Sequence, residues 1–240
     1  MYSLELEVFS QTLQWLEQGT PVALVTVVKT GGTTPRPPGA LLAVNATGSL
    51  IGSVSGGCVE DDLVAQVKTG RFTDPTLLQY GISEAQSRRL GLSCGGSVEL
   101  LVEPLTQVDR IKPVVLALQQ RQLIARQVHL ASGQVSWPAV SQTPAVQYDG
   151  QYLTCTFGPC WQLLLIGAGQ IARYLAELAL ALNYQVVVCD PRPEYTATWQ
   201  VEGTSLTPQM PDDAVRTLAP DRRSAVVTLT HDPKLDDLAL

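Results

Sequence analysis

One run constrains the fold more than any other: residues 161–195, WQLLLIGAGQIARYLAELALALNYQVVVCDPRPEY. An apolar strand, a glycine turn, a helical stretch, a second apolar strand and an acid follow in that order. This is the sequence of one strand–helix–strand unit of a parallel sheet. Gly167 permits the tight turn, and Gly169 would let a pyrophosphate approach the amides at the helix start. Ala172 lets the helix lie close on the strand. Asp190 ends the second strand 21 residues beyond Gly169, where a carboxylate would accept ribose hydroxyls. Arg192 could pair with a phosphate, which blurs any choice between NAD and NADP. The expectation is a Rossmann-like domain over residues 161–240, used for a dinucleotide or kept as scaffold, since a fold does not fix a function.

A further apolar strand, SAVVTLT, spans 224–230. His231 follows it at the carboxyl end of the sheet, where open α/β folds bind ligands. The alternative there is a surface histidine beside a helix capped by Asp232. Three strands and one full crossover fit between Trp161 and Leu240, against about six strands in a doubly wound dinucleotide domain. The domain is therefore expected to be truncated within this chain. Either more chain or a neighbouring subunit would complete the sheet, and the second option predicts a homodimer.

The first part of the chain reads as a mixed α/β domain over residues 1–107. SLELEVFSQTLQWLEQG forms an amphipathic helix with Leu6, Phe9, Leu13 and Leu16 on one stripe, a Ser3 cap and a Gly19 stop. PVALVTVVK is a buried strand. TGGTTPRPPG is a loop by its prolines and glycines. ALLAVN and SLIGSV pair across a tight turn. A helix is expected from near Gly57 to Gly70, and SVELLVEPL is another strand. Residues 108–160 read as a β-rich connector or extension, with a hairpin about Asp149-Gly150. The fold class is α/β: an N-terminal mixed domain followed by a Rossmann-like parallel-sheet domain.

Two short stretches carry candidate chemistry, GSVSGGCVED at 52–61 and SCGGSVEL at 93–100. Cys58 follows Gly56 and Gly57 near a helix start, where the helix dipole favours a thiolate. Such a thiolate is a soft metal ligand or a sulfur nucleophile. The two glycines would let an anion reach backbone amides. Cys94 with Gly95 and Gly96 offers a second such place, and buried cysteines beside turns remain the alternative. Arg36, stiffened by prolines, suits a phosphate or carboxylate, or is a solvated loop charge. Glu60, Asp61 and Asp62 could do acid–base work or simply favour the first turn of a helix. Cys189 reads as core; Cys155 and Cys160 read as structural.

Composition excludes several classes. A net charge of −6 without a basic cluster argues against nucleic acid. No apolar run reaches membrane length, and the first residues lack a signal-peptide pattern, so a cytoplasmic protein is expected. Five cysteines and two histidines without a CxxC spacing argue for reduced thiols and against a structural zinc.

Taken together, GGTTPRPPGALLAV, GSVSGGCVED, LSCGGSVELLVEP, LLLIGAGQIARYLAELA, VVVCDPRPEY and VVTLTHDPKLDDLAL resemble the XdhC/CoxI family over nearly the whole chain. That resemblance implies a maturation factor rather than a turnover catalyst. It would bind the molybdenum cofactor (molybdopterin), support its sulfuration with a cysteine desulfurase, and deliver it to an apo molybdenum hydroxylase of the xanthine dehydrogenase type. It carries Arg36, Gly56, Gly57, Cys58, Glu60, Cys94, Gly95 and Gly96 as cofactor contacts. Cys58, and less directly Cys94, would approach the molybdenum. In the second domain it carries Gly167, Gly169, Asp190, Arg192, His231 and Asp232. Two alternatives stand beside it: an NAD(P)-dependent oxidoreductase using the glycine turn, and a thiol redox or sulfur-carrier protein using Cys58 and Cys94.

Overall fold

The computed structural model describes residues 4–57, 59–81, 96–140 and 146–240. Its contacts divide the chain into two units, Leu4–Gly158 and Pro159–Leu240.

In the first unit, helix α1 (Leu4–Glu17) precedes strand β1 (Val22–Gly31) and the hairpin of β2 (Leu41–Asn45) and β3 (Leu50–Gly52). The hairpin turn is built by Asn45, whose Oδ1 accepts from the amides of Thr47 and Ser49 at 3.0 and 2.9 Å. Helix α2 (Glu60–Lys68), β4 (Thr76–Tyr80) and β5 (Ser97–Leu105) follow, and the sheet order is β3-β2-β1-β5-β4, antiparallel throughout. Helix α2 starts later than the sequence expectation. Gly56 and Gly57 have φ of +80° and +111°, which no right-handed helix accommodates. The sequence pattern also gave no sign of β4, whose TLLQY is short and half-buried.

Residues 108–158 add helix α3 (Lys112–Gln119) and a second antiparallel sheet of β6 (Ile124–His129), β7 (Val135–Ser136), β8 (Val146–Tyr148) and β9 (Tyr152–Phe157), in the order β7-β6-β9-β8. The expected hairpin turns at Gly150 (φ +95°), with Asp149 Oδ1 accepting from the amides of Gln151 and Tyr152. The two sheets share one core. Leu6, Phe9 and Leu16 of α1 pack with Leu24, Leu101, Ile111, Val114, Leu118, Val128 and Phe157. Phe9 meets Phe157 edge-on at 4.8 Å between ring centroids. Burying this much apolar surface in one cluster joins residues 108–158 to the first sheet by the hydrophobic effect.

One ion pair crosses that core. Arg126 on β6 donates from Nη1 and Nη2 to Glu103 on β5 at 3.0 and 2.8 Å, and from Nε to the Arg110 carbonyl at 3.2 Å. Both side chains are almost wholly buried.

The second unit is a parallel sheet of β10 (Gln162–Ile166), β11 (Gln185–Cys189), β12 (Ser205–Thr207) and β13 (Ser224–Thr228), in the order β12-β11-β10-β13. Three strands are expected here from sequence. The fourth, β12, is three residues long and mostly exposed, so it has no apolar signature to read. Helix α4 (Gln170–Ala181) covers one face, and the order 3-2-1-4 is that of the first half of a doubly wound sheet. Helices α5 (Pro193–Thr196), α6 (Pro211–Leu218) and α7 (Pro233–Asp236) complete the described elements. Strand β10 is buried at every position because both its faces are covered. Leu163 and Leu165 meet Ala172, Ala176 and Ala179 of α4, while Leu164 and Ile166 meet Ala214 of α6. Ala172 is fully buried, and small side chains there bring the helix close to the sheet. No helix among the described residues is long and apolar enough to cross a membrane.

Arg126→Met leaves Glu103 charged and unpaired in the core, and is expected to cost about 3–5 kcal/mol in urea unfolding. The paired change Glu103→Leu with Arg126→Met is expected to recover most of that loss. Equal stability of Arg126→Met and wild type would show that the pair does not hold the two sheets together.

Candidate functional site

In the first unit, the turn between β3 and α2 wraps around a single carboxylate. Glu60 is 6% exposed. Its Oε1 accepts from the Ser53 hydroxyl at 2.7 Å and from the amides of Val54 and Ser55, each at 2.9 Å. Its Oε2 accepts from the amides of Gly57 and Val59 at 3.0 and 3.2 Å, and from the Ser55 hydroxyl. Successive N–H groups converging on an anion form a nest, and here the anion belongs to the chain. Burial alone raises this carboxyl group, but donation from the Ser55 and Ser53 hydroxyls and the backbone amides outweighs it. The net result is a value lowered to about 2.

This geometry changes the roles expected of the glycines. The Gly57 amide serves Glu60, and the Gly56 amide donates to Ser53 Oγ at 3.0 Å. Neither is open to an external anion. The left-handed φ of each residue instead lets the chain curl around the carboxylate, a conformation a side chain would strain. A Cβ at Gly57 would meet nothing within 4 Å, so the turn presents bare backbone to open space.

The proline loop lies against this turn. Arg36 Nε donates to the Ser53 carbonyl at 3.1 Å, and the Pro35 ring lies 3.3 Å from where a Gly56 Cβ would sit. The Arg36 Nη atoms have no hydrogen-bond partner among the described residues. Gly96 closes on the same loop, because a Cβ there would collide with the Thr33 carbonyl and crowd Thr34. The structure thus gathers Arg36, Gly56, Gly57, Glu60 and Gly96. Cys58, Cys94 and Gly95 lie outside the described residues. Ser53 and Ser55 were missed by sequence reasoning, and their hydroxyls gave no sign of their use beyond their closeness to Glu60.

Asp61 and Asp62 separate from Glu60. Asp62 accepts from Tyr80 Oη at 2.8 Å and Gln66 Nε2 at 2.5 Å, which ties α2 to β4. Burial and the adjacent Asp62 push the Tyr80 hydroxyl well above its ordinary range. A cavity of about 410 Å³ opens nearby, lined by residues including Lys29, Gly31, Tyr80, Gly81, Ser97 and Glu99.

The second unit repeats the device of a glycine turn held by a buried acid. Gly167 has φ of +109° and backs onto Thr230, whose amide lies 3.0 Å from a Cβ position there. Asp190 is fully buried. Its Oδ2 accepts from the Ala168 amide at 2.8 Å and Arg192 Nη2 at 2.9 Å; its Oδ1 accepts from Arg192 N at 3.0 Å and Nε at 2.9 Å. Burial raises this carboxyl group, yet the Arg192 guanidinium and the two amides hold it below the usual range. A carboxylate has about four acceptor sites, and all are in use. Asp190 and Arg192, expected as ribose and phosphate contacts, are paired with each other in this structure. Arg192 also stacks over Tyr195 at 4.0 Å. Gly169 caps α4 and has open space at its Cβ position. His231 is exposed with φ of +58°, and Asp232 caps α7 through the Lys234 amide at 3.0 Å.

Two of the remaining thiols are inert. Burial pushes Cys155 up to about 12 and Cys189 up to about 11, so neither is a thiolate at neutral pH. No group of three His, Cys, Asp or Glu side chains among the described residues could hold a metal ion.

The chain thus carries a mixed α/β unit whose amide nest is filled by Glu60, followed by a Rossmann-type unit whose Asp190 is paired with Arg192. Sequence models place it more closely. The XdhC and CoxI family matches residues 15–81, and the XdhC Rossmann domain matches residues 163–240. The chain belongs to the XdhC and CoxI family. It is 29% identical over 183 residues to the molybdenum cofactor insertion chaperone PaoD of Escherichia coli, covering 74% of this chain and 55% of PaoD. The chain thus spans about half of PaoD's length. It is 25% identical over 243 residues to a probable xanthine dehydrogenase subunit of Bacillus subtilis, covering 90% of this chain and 74% of that protein. A crystal structure described as a xanthine dehydrogenase from Bacillus halodurans shares the fold, with a TM-score of 0.78 over 100% of this chain and 78% of that one, at 22% identity.

Because the folded Glu60 carboxyl lies near 2 against an ordinary 4.5, its stabilisation is complete above about pH 4.5 and is lost as pH falls towards 2. Its size is about 3 kcal/mol. Glu60→Gln should flatten the acid limb of a stability–pH curve over that window. An unchanged slope would mean that the nest does not hold the charge.

Proposed function

We propose that this chain is a molybdenum cofactor-binding chaperone, which holds the cofactor, supports its sulfuration with a cysteine desulfurase, and delivers it to an apo molybdenum hydroxylase of the xanthine dehydrogenase type. The observation that carries this reading is the loop Ser53–Val59. It is locked from within and bare at Gly57, and it lies beside an arginine whose Nη atoms have no partner among the described residues. Kinship to an insertion chaperone supports the same reading.

The residues present suit such a group in part by what they leave open. Arg36 offers a planar fork for a phosphate. Gly57 adds no side chain over the approach. Cys58, next in sequence, would supply a soft sulfur for the metal, with Cys94 as a second thiol. Bound cofactor would supply the redox-active metal and dithiolene that a hydroxylase needs; the chain's own task is to orient and shield it. Gly96, against the proline loop, belongs to this proposal together with Gly95, which precedes it in sequence. In the second unit, Gly167, Ala172, Asp190 and Arg192 serve the fold of the Rossmann-type sheet, while Gly169 and His231 remain on its ligand-facing end. A homodimer is part of the reading.

An NAD(P)-dependent oxidoreductase is the less favoured reading, because Asp190 has no acceptor left for a ribose hydroxyl. The protein is tested by purifying it from cells that make the cofactor and measuring the fluorescence of released, oxidised pterin. Wild type should carry pterin, and Cys58→Ala should lose at least about tenfold of it, the loss of a contact worth about 1.4 kcal/mol or more. Equal pterin content in the two proteins would overturn the role given to Cys58.

A further inference from the structure

The resemblance offers Glu60 as a contact to the cofactor, and its geometry assigns it otherwise. A ligand-contacting carboxylate needs an exposed oxygen with a vacant lone pair, and Glu60 has neither. Its two oxygens take two hydroxyls and four amides, more donors than the roughly four acceptor sites of a carboxylate. The Glu60 charge is instead enclosed and stabilised by six donors of its own chain.

Ser53 connects this carboxylate to Arg36. Its hydroxyl donates to Glu60 Oε1 at 2.7 Å and accepts from the Gly56 amide at 3.0 Å. Its carbonyl accepts from Arg36 Nε at 3.1 Å. The peptide that orients the guanidinium is thus itself held by Glu60. Ser55 supplies the second brace, since its hydroxyl donates to Glu60 Oε2 and accepts from the Val59 amide at 2.9 Å.

We propose that Glu60 is the positioning residue of this site: through Ser53 it fixes the Arg36 guanidinium, and through the amides of Val54, Ser55, Gly57 and Val59 it sets the loop before any ligand arrives. The part concerning Arg36 rests on the reading of that arginine as an anion contact; the part concerning the loop stands on the hydrogen bonds alone. Pre-ordering of this kind removes the cost of immobilising a loop from the binding step. It also explains why the turn carries two serines and two glycines together. The serines hold the carboxylate, and the glycines supply the backbone conformations that let the amides reach it.

Glu60→Gln tests this with little change of shape, because its side-chain amide keeps one acceptor but turns an NH₂ towards amide donors. Hydrogen exchange in the ligand-free protein should show the Ser55 and Gly57 amides exchanging about a hundredfold faster, the expected loss of charge-assisted bonds. The β1 amides of Leu24 and Val25 should keep their rates, which separates a local effect from general destabilisation. Pterin retained on purification should fall as far in Glu60→Gln as in Arg36→Ala, and no further in the double variant. Ser53→Ala, which keeps the amides on Glu60 but removes one brace of the Arg36 link, should lower pterin with a smaller change in exchange. Unchanged exchange at Ser55 and Gly57 in Glu60→Gln overturns the nest, and loosened amides with full pterin retention overturn the positioning role. If wild type carries no pterin, the cofactor reading falls, and the exchange rates of Glu60→Gln still decide whether Glu60 sets the loop.

Discussion

A buried carboxylate surrounded by the chain's own donors organises the turn between β3 and α2. Glu60 lies at the first residue of α2, yet its acceptors face back into the loop that precedes it. Without that charge, four amides and two hydroxyls would point at an empty centre, and desolvated donors left unpaired are costly. The prolines stiffen one wall, the glycines turn the other, and the carboxylate joins them. The arrangement is tied together by hydrogen bonds within the chain itself.

The second unit solves a similar problem with the same parts. Asp190 holds the Ala168 amide beside Gly167, as Glu60 holds the amides on either side of position 58 in the sequence. In each case an acid that resembles a ligand contact is an internal anion fixing a glycine turn. The difference lies in the partner. Backbone amides and serines stabilise the Glu60 charge by hydrogen bonding, while Arg192 neutralises Asp190 through a two-pronged pair. A Rossmann-type unit built this way keeps the sheet order and the open glycine at the start of α4, with its acid engaged by Ala168 and Arg192.

Much of this was legible in the sequence, and the failures have physical causes. The strand–turn–helix run at 161–189, the strand at Ser97–Leu105 and the hairpin about Asp149-Gly150 all carry strong apolar periodicity or turn chemistry. Their positions in the structure follow closely. Strands β4 and β12 were invisible because half-exposed edge strands have little apolar pattern to read. Helix α2 was placed too early because an acidic first turn marks a helix start only to within a few residues, while the glycines' positive φ appears only in three dimensions. Arg36, Gly56, Gly57 and Gly96 lie together in the structure, and the prolines and glycines around them are what mark this special backbone in the sequence. What the sequence could not reveal was the direction of the donors. The same amides that suit an external phosphate suit an internal carboxylate equally well, and only the position of the Glu60 side chain distinguishes them.

Under the proposed function, this chain carries the molybdenum cofactor. Elemental analysis by mass spectrometry of protein purified without oxygen from cofactor-producing cells tests it most directly. A carrier of the cofactor should hold molybdenum approaching one atom per chain, and background levels when made in cells unable to form the pterin. Background molybdenum in both preparations, with the protein folded, would contradict it.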